Sequence, residues 1–91
     1  MDQFASKREV IEHLARYLRV NPLASDTLEG IAQWWLGAAG VDPETLDEAL
    51  AWLVAESIVE RIQAADGRVR YRRVALDAVI DARLDLLIGA T

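Results

Sequence analysis

The sequence predicts a mostly α-helical fold that carries one small β-hairpin and ends in an additional helix, and three observations point there. Apolar residues recur at helical spacing in residues 10–18, 28–39, 46–53 and 76–88. Gly37 and Gly40 lie where the second helix should end and Asp42-Pro43 restarts the chain two residues after Gly40, so the second and third helices are joined by a short turn. From Ile58 the period shortens to alternation, and Asp66-Gly67 separates two segments rich in β-branched residues.

The first helix opens at Ser6-Lys7-Arg8-Glu9, a capping box in which the Ser6 hydroxyl accepts from the Glu9 N–H and the Glu9 carboxylate reaches back. Val10, Ile11, Leu14 and Leu18 form its buried stripe, and Asn21-Pro22 ends it, because a residue before proline is pushed out of the helical region. His13, the single histidine, falls beside that stripe on the polar side and reads as a surface residue. Ser25 or Asp26 is the expected cap of the second helix, with Glu29 completing a second box and Leu28, Ile31, Ala32, Trp35 and Ala39 on one face.

Asp42 caps the third helix and Pro43 takes its first position, where a missing N–H costs nothing. Leu46, Ala49, Leu50, Leu53 and Ser57 make the expected inward face. In the hairpin, Asp66-Gly67 is a two-residue turn signal, Val69 and Tyr71 form the inward pair, and Arg70 and Arg72 point out. The last helix shows Leu76, Val79, Ile80, Leu84, Leu87 and Ile88 on one side. Such a stripe either packs back on the first helix or pairs with its twin in a two-fold dimer.

Ninety-one residues allow one domain, and a chain of that size buries only about 60–65% of its unfolded surface. At 53% hydrophobic residues there is ample material for a core. Cysteine is absent, which removes disulfides, thiolate metal sites and a cysteine nucleophile. The start Met1-Asp2-Gln3-Phe4 is unlike a signal peptide and no apolar run approaches membrane length, so a cytoplasmic protein without membrane contact is expected.

The net charge of −5 hides an uneven distribution. Residues 42–60 hold Asp42, Glu44, Asp47, Glu48, Glu56 and Glu60 with no base, whereas residues 61–73 hold Arg61, Arg68, Arg70, Arg72 and Arg73 against Asp66 alone. The third helix is acidic and the hairpin basic. Glu44, Asp47 and Glu48 read as a solvated cluster at the positive end of a helix dipole; without a histidine or a second ligand-bearing segment they do not read as a metal site.

Ile31-Ala32, Gly40-Val41-Asp42-Pro43-Glu44-Thr45-Leu46, Ala49-Leu50 and Leu53 together resemble the helix-turn-helix core of winged-helix proteins. Residues 57–61 with Gly67-Arg68-Val69-Arg70-Tyr71-Arg72 resemble that family's wing. The resemblance divides the chain into a flexible N-terminus at 1–5, a winged helix-turn-helix core at 6–74 and a C-terminal packing or dimerisation helix at 75–88. It implies a third helix that, in DNA-binding members, enters the major groove with basic or amide side chains in its first turns. Here those places hold Glu44, Asp47 and Glu48, which repel a polyanion.

Two expectations follow. One is a non-enzymatic module that binds a protein partner, or a second copy of itself, through its acidic third helix and through Trp34 and Trp52, which project away from their helices' apolar stripes. Those tryptophans are either interface anchors or are covered by the hairpin or last helix. The alternative is a DNA-binding regulator that contacts phosphates through Arg68, Arg70, Arg72 and Arg73. No nucleophile–base pair, phosphate loop or metal-ligand spacing is present, so no catalytic residue, cofactor, metal or small-molecule substrate is expected.

Overall fold

The computed structural model describes residues 6–37 and 40–89. The expected flexible segment at 1–5 and the place of Ala39 on the second helix lie outside the described residues. The chain is mostly helical with a small three-stranded antiparallel sheet. Its elements are α1 (Lys7–Val20), β1 (Ser25–Asp26), α2 (Leu28–Gly30) running on into a π-helical turn (Ile31–Trp35), α3 (Pro43–Ala55), β2 (Val59–Gln63), β3 (Val69–Arg73) and α4 (Ala78–Leu87).

α1 begins as the capping box requires on its serine side, with the Glu9 N–H donating to Ser6 Oγ at 3.2 Å, and ends at Asn21. Its stripe of Val10, Ile11, Leu14 and Leu18 is buried against both α3 and α4, so the last helix packs back on the first. His13 is half-buried beside that stripe.

The start of α2 differs from expectation. Ser25 and Asp26 form β1, paired with Arg72 and Tyr71 of β3, and Thr27 is the cap, its hydroxyl accepting from the Gly30 N–H at 3.2 Å. Asp26 instead accepts from the Thr27 N–H at 2.8 Å. The pairing with β3 fixes residues 25 and 26 in extended backbone, which moves the helix start one residue on. From Ile31 the helix widens, the Leu36 N–H reaching the Ile31 carbonyl at 3.1 Å, five residues back. Gly37 then closes the segment at φ 70°, a left-handed turn that glycine takes without steric cost.

Asp42 caps α3 as expected, accepting at Oδ2 from both the N–H and the hydroxyl of Thr45. Leu46, Ala49, Leu50 and Leu53 are buried, but Ser57 is not on that inward face. It stands past the helix end at φ 60°, with its N–H on the Val54 carbonyl and the Ile58 N–H on the Leu53 carbonyl, both at 3.0 Å. This is a Schellman closure, and the buried Leu53 and Ile58 supply its apolar contact.

The sheet has the order β1-β3-β2. In the hairpin the Ala64 N–H donates to Arg68 O and the Gly67 N–H to Ala64 O, with Gly67 at φ 86°. The loop is therefore three residues with a bulge at glycine rather than the expected two-residue turn. Tyr71 is buried and Val69 half-buried, and Arg72 is exposed on the other face, as the alternation implies. Arg73 follows the same parity inward.

In α4, Asp77 caps the helix by accepting from the Ile80 N–H at 3.0 Å. Ile80 and Leu84 are buried and Leu87 and Ile88 half-buried, whereas Leu76 and Val79 are exposed rather than on a packed stripe. Leu76 precedes the cap and never joins the helix. Among the described residues no helix is long and apolar enough to cross a membrane.

Candidate functional site

Since Leu46, Ala49, Leu50 and Leu53 anchor α3 inward, the helical repeat turns Glu44, Asp47, Glu48, Ala51 and Ala55 to solvent, and all of them are exposed. Glu44, Asp47 and Glu48 carry no ion pair to any described residue. The solvent side of α3 is thus a row of open carboxylates in its first turns, giving way to small apolar residues.

A groove about 250 Å³ in volume runs along the α2–α3 elbow, lined by Leu28, Glu29, Ala32, Val41, Pro43 and Leu46. One wall comes from α2 and the turn that follows it, the other from Val41 and the start of α3. The apolar spacing puts Leu28, Ala32 and Leu46 on core stripes and does not reveal this opening. Leu28, Ala32 and Val41 are only half-buried, and the signal available was that Leu28 and Ala32 share a flank at a spacing of four.

The two singled-out tryptophans part company. Trp34 is 68% exposed, whereas Trp52 is half-buried against the core. Trp34 and Ala32 are two residues apart and project to different sides of the helix, so Trp34 does not border the elbow groove. Trp35 is buried and stacks on Tyr17 with ring centroids 5.0 Å apart.

The arginines of the hairpin do not form one open row. Arg72 donates to Glu60 at 2.8 Å across the strand pair, and Arg70 points at the Ser25 carbonyl at 3.5 Å. Arg61 lies over the Tyr71 ring, 5.8 Å from its centroid. Arg68, in the loop, is exposed and carries no ion pair to a described residue. Arg73 is no candidate for a phosphate contact: it is 4% exposed and donates to Ala75 O, Leu18 O and Asp81 Oδ1. Alternation from Tyr71 places residue 73 inward, and three acceptors satisfy its guanidinium there.

A second groove of about 260 Å³ lies between the α1–β1 connection and the segment after β3, where Leu23, Val74 and Leu76 expose apolar surface beside Arg72 and Glu60. Among the described residues no group of three or more His, Cys, Asp or Glu side chains is gathered to hold a metal ion. No family model, no curated protein and no solved structure matches the chain.

Proposed function

We propose that this chain is a non-enzymatic interaction module, built as a winged helix-turn-helix, that binds a protein partner through the solvent side of α3. The order of elements supports the architecture: α2 and α3 stand where that fold has its helix-turn-helix, β2 and β3 where it has its wing, and α4 is an addition packed on α1. One observation carries the functional reading. The side of α3 that such a fold presents holds Glu44, Asp47 and Glu48, all exposed and without ion pairs to described residues. Open carboxylates repel phosphates and attract a cationic protein surface.

The second reading, a DNA-binding regulator, rests on Arg68, which is exposed at the wing tip. One open arginine neutralises about one phosphate, which is far below what ordinary DNA-binding affinity needs. The arginines beside it are engaged by Glu60, Ser25 and Asp81.

Photo-crosslinking tests the reading. With a benzophenone amino acid at exposed Ala51 on α3, cells expressing the chain should yield a discrete protein adduct, lost on Glu44→Lys/Glu48→Lys and missing when the crosslinker stands at Arg8 on α1. An adduct with the chain itself, together with a dimer in sedimentation, identifies the partner as a second copy. Equal adducts at both positions, or saturable binding of duplex DNA at low salt that Arg68→Glu abolishes, would overturn the protein-partner reading.

A further inference from the structure

The elbow groove and the acids beside it belong to one surface. Leu28, Ala32, Val41, Pro43 and Leu46 give walls without a hydrogen-bonding side chain, and the volume of about 250 Å³ suits one aliphatic side chain with room for its neighbours' stems. Glu29 closes one wall. On the other wall Asp47 follows Pro43 by four residues and stands on the same side of α3, while the exposed Glu44 stands roughly a quarter-turn further round the helix. Arg68 lies beyond Glu29, in the adjoining hollow that it lines with Thr27, Leu28 and Tyr71, so the side toward α3 is the uniformly acidic one.

Resting on the protein-partner reading, we infer that this groove takes a peptide segment in which one aliphatic side chain is flanked by lysine or arginine, the aliphatic group seated against Leu28, Ala32, Val41 and Leu46 and the bases directed toward Glu44 and Asp47. Charge complementarity chooses the occupant. A neutral apolar segment leaves the carboxylates without partners, and an acidic one meets repulsion at Glu29, Glu44 and Asp47 together. The apolar anchor supplies binding energy, and the charges set direction and specificity.

Amide shift mapping of the isotope-labelled full chain tests this. The probe is a short acetylated peptide with one leucine between paired lysines, set against the same peptide with serine for leucine and with glutamates for lysines. The leucine–lysine probe should produce saturable shifts at the amides of Leu28, Ala32, Val41 and Leu46, and both controls should leave these amides unmoved. Glu44→Lys/Asp47→Lys should weaken binding roughly five- to tenfold, as expected for two exposed pairs turned from attraction to repulsion. Ala32→Leu, which fills the groove, should abolish the shifts, the spectrum itself reporting that each variant is folded. Shifts confined to Glu44, Asp47 and Glu48 and shared by the serine control would overturn the inference, as would no saturable shift at all. Either result beside a persistent protein adduct at α3 removes the groove alone. Salt-sensitive DNA binding removes the reading on which it rests.

Discussion

Arg73, at the end of β3, donates to Asp81 Oδ1 of α4 at 2.9 Å, and that one bond ties the sheet to the last helix. The same guanidinium also donates to the Leu18 carbonyl, in the last turn of α1, where a helix leaves carbonyls without intrahelical partners. Arg19 adds a second cation to the α4 acids, 3.0 Å from Asp85 and 3.7 Å from Asp81. Three elements converge on one buried arginine, whose role is architectural.

The neighbouring arginines should therefore differ sharply in stability. Arg73→Met keeps the apolar stem but removes donors from a side chain that is 1% exposed, and should cost about 2–3 kcal/mol in urea unfolding. Arg72→Met breaks only the exposed pair with Glu60 and should cost less than about 0.5 kcal/mol. Equal losses would mean that the Arg73 cluster is not closed in solution.

Thr27, not Ser25 or Asp26, starts α2 with its side chain. Thr27→Ala should lower stability by about 1 kcal/mol, whereas Ser25→Ala should change it by only a few tenths, because Ser25 contributes its backbone to β1 and not its hydroxyl to a cap. Thermal melts of the two single variants decide it. A larger loss at Ser25 would return the cap to the position that local pattern alone indicates.

These differences show what was legible. The caps at Ser6 and Asp42 could be read because donor and acceptor lie within three residues and no distant partner competes. The burial of Tyr71 followed from alternation, and so, by the same parity, does that of Arg73. β1 was hidden because two residues carry no period of their own; Ser25 and Asp26 are extended only because Arg72 and Tyr71 pair with them. The widening at Ile31 was hidden too, since a shift of one residue in hydrogen-bond partner leaves the apolar pattern intact. At the candidate site the exposure of Glu44, Asp47 and Glu48 was readable from the helical repeat. The groove was not, because its walls belong to two separate segments whose apposition no local pattern encodes.

Ser57 offers a gain rather than a loss. Its φ of 60° lies where an L side chain crowds its own backbone, and the Schellman closure of α3 holds it there. Ser57→Gly should raise stability by about 0.5–1 kcal/mol, the relief of that crowding outweighing the extra entropy of an unfolded glycine. Ser57→Val should lose at least about 1 kcal/mol, since a β-branched residue tolerates that conformation least. Denaturation midpoints in the opposite order would mean that α3 does not end in this closure.

The two adjacent tryptophans give the sharpest contrast. Trp35 is 5% exposed and stacked on Tyr17 at an interplanar angle of 16°, so Trp35→Ala removes a large core side chain and should cost about 3–5 kcal/mol. In a domain of this size that approaches the whole of its stability. Trp34, at 68% exposure, adds little to the fold, and Trp34→Ala should stay within about 0.5 kcal/mol of the parent. Iodide quenching provides the independent reading. The accessible share of the tryptophan emission should fall on Trp34→Ala and remain on Trp52→Phe, because Trp52 is half-buried against the core. If Trp34→Ala destabilises as much as Trp35→Ala, both rings are core and Trp34 is no candidate for an interface anchor. If it leaves the fold intact but removes the α3 adduct, the partner reaches past the acidic face to the flank where Trp34 stands, and the interface is larger than the elbow groove.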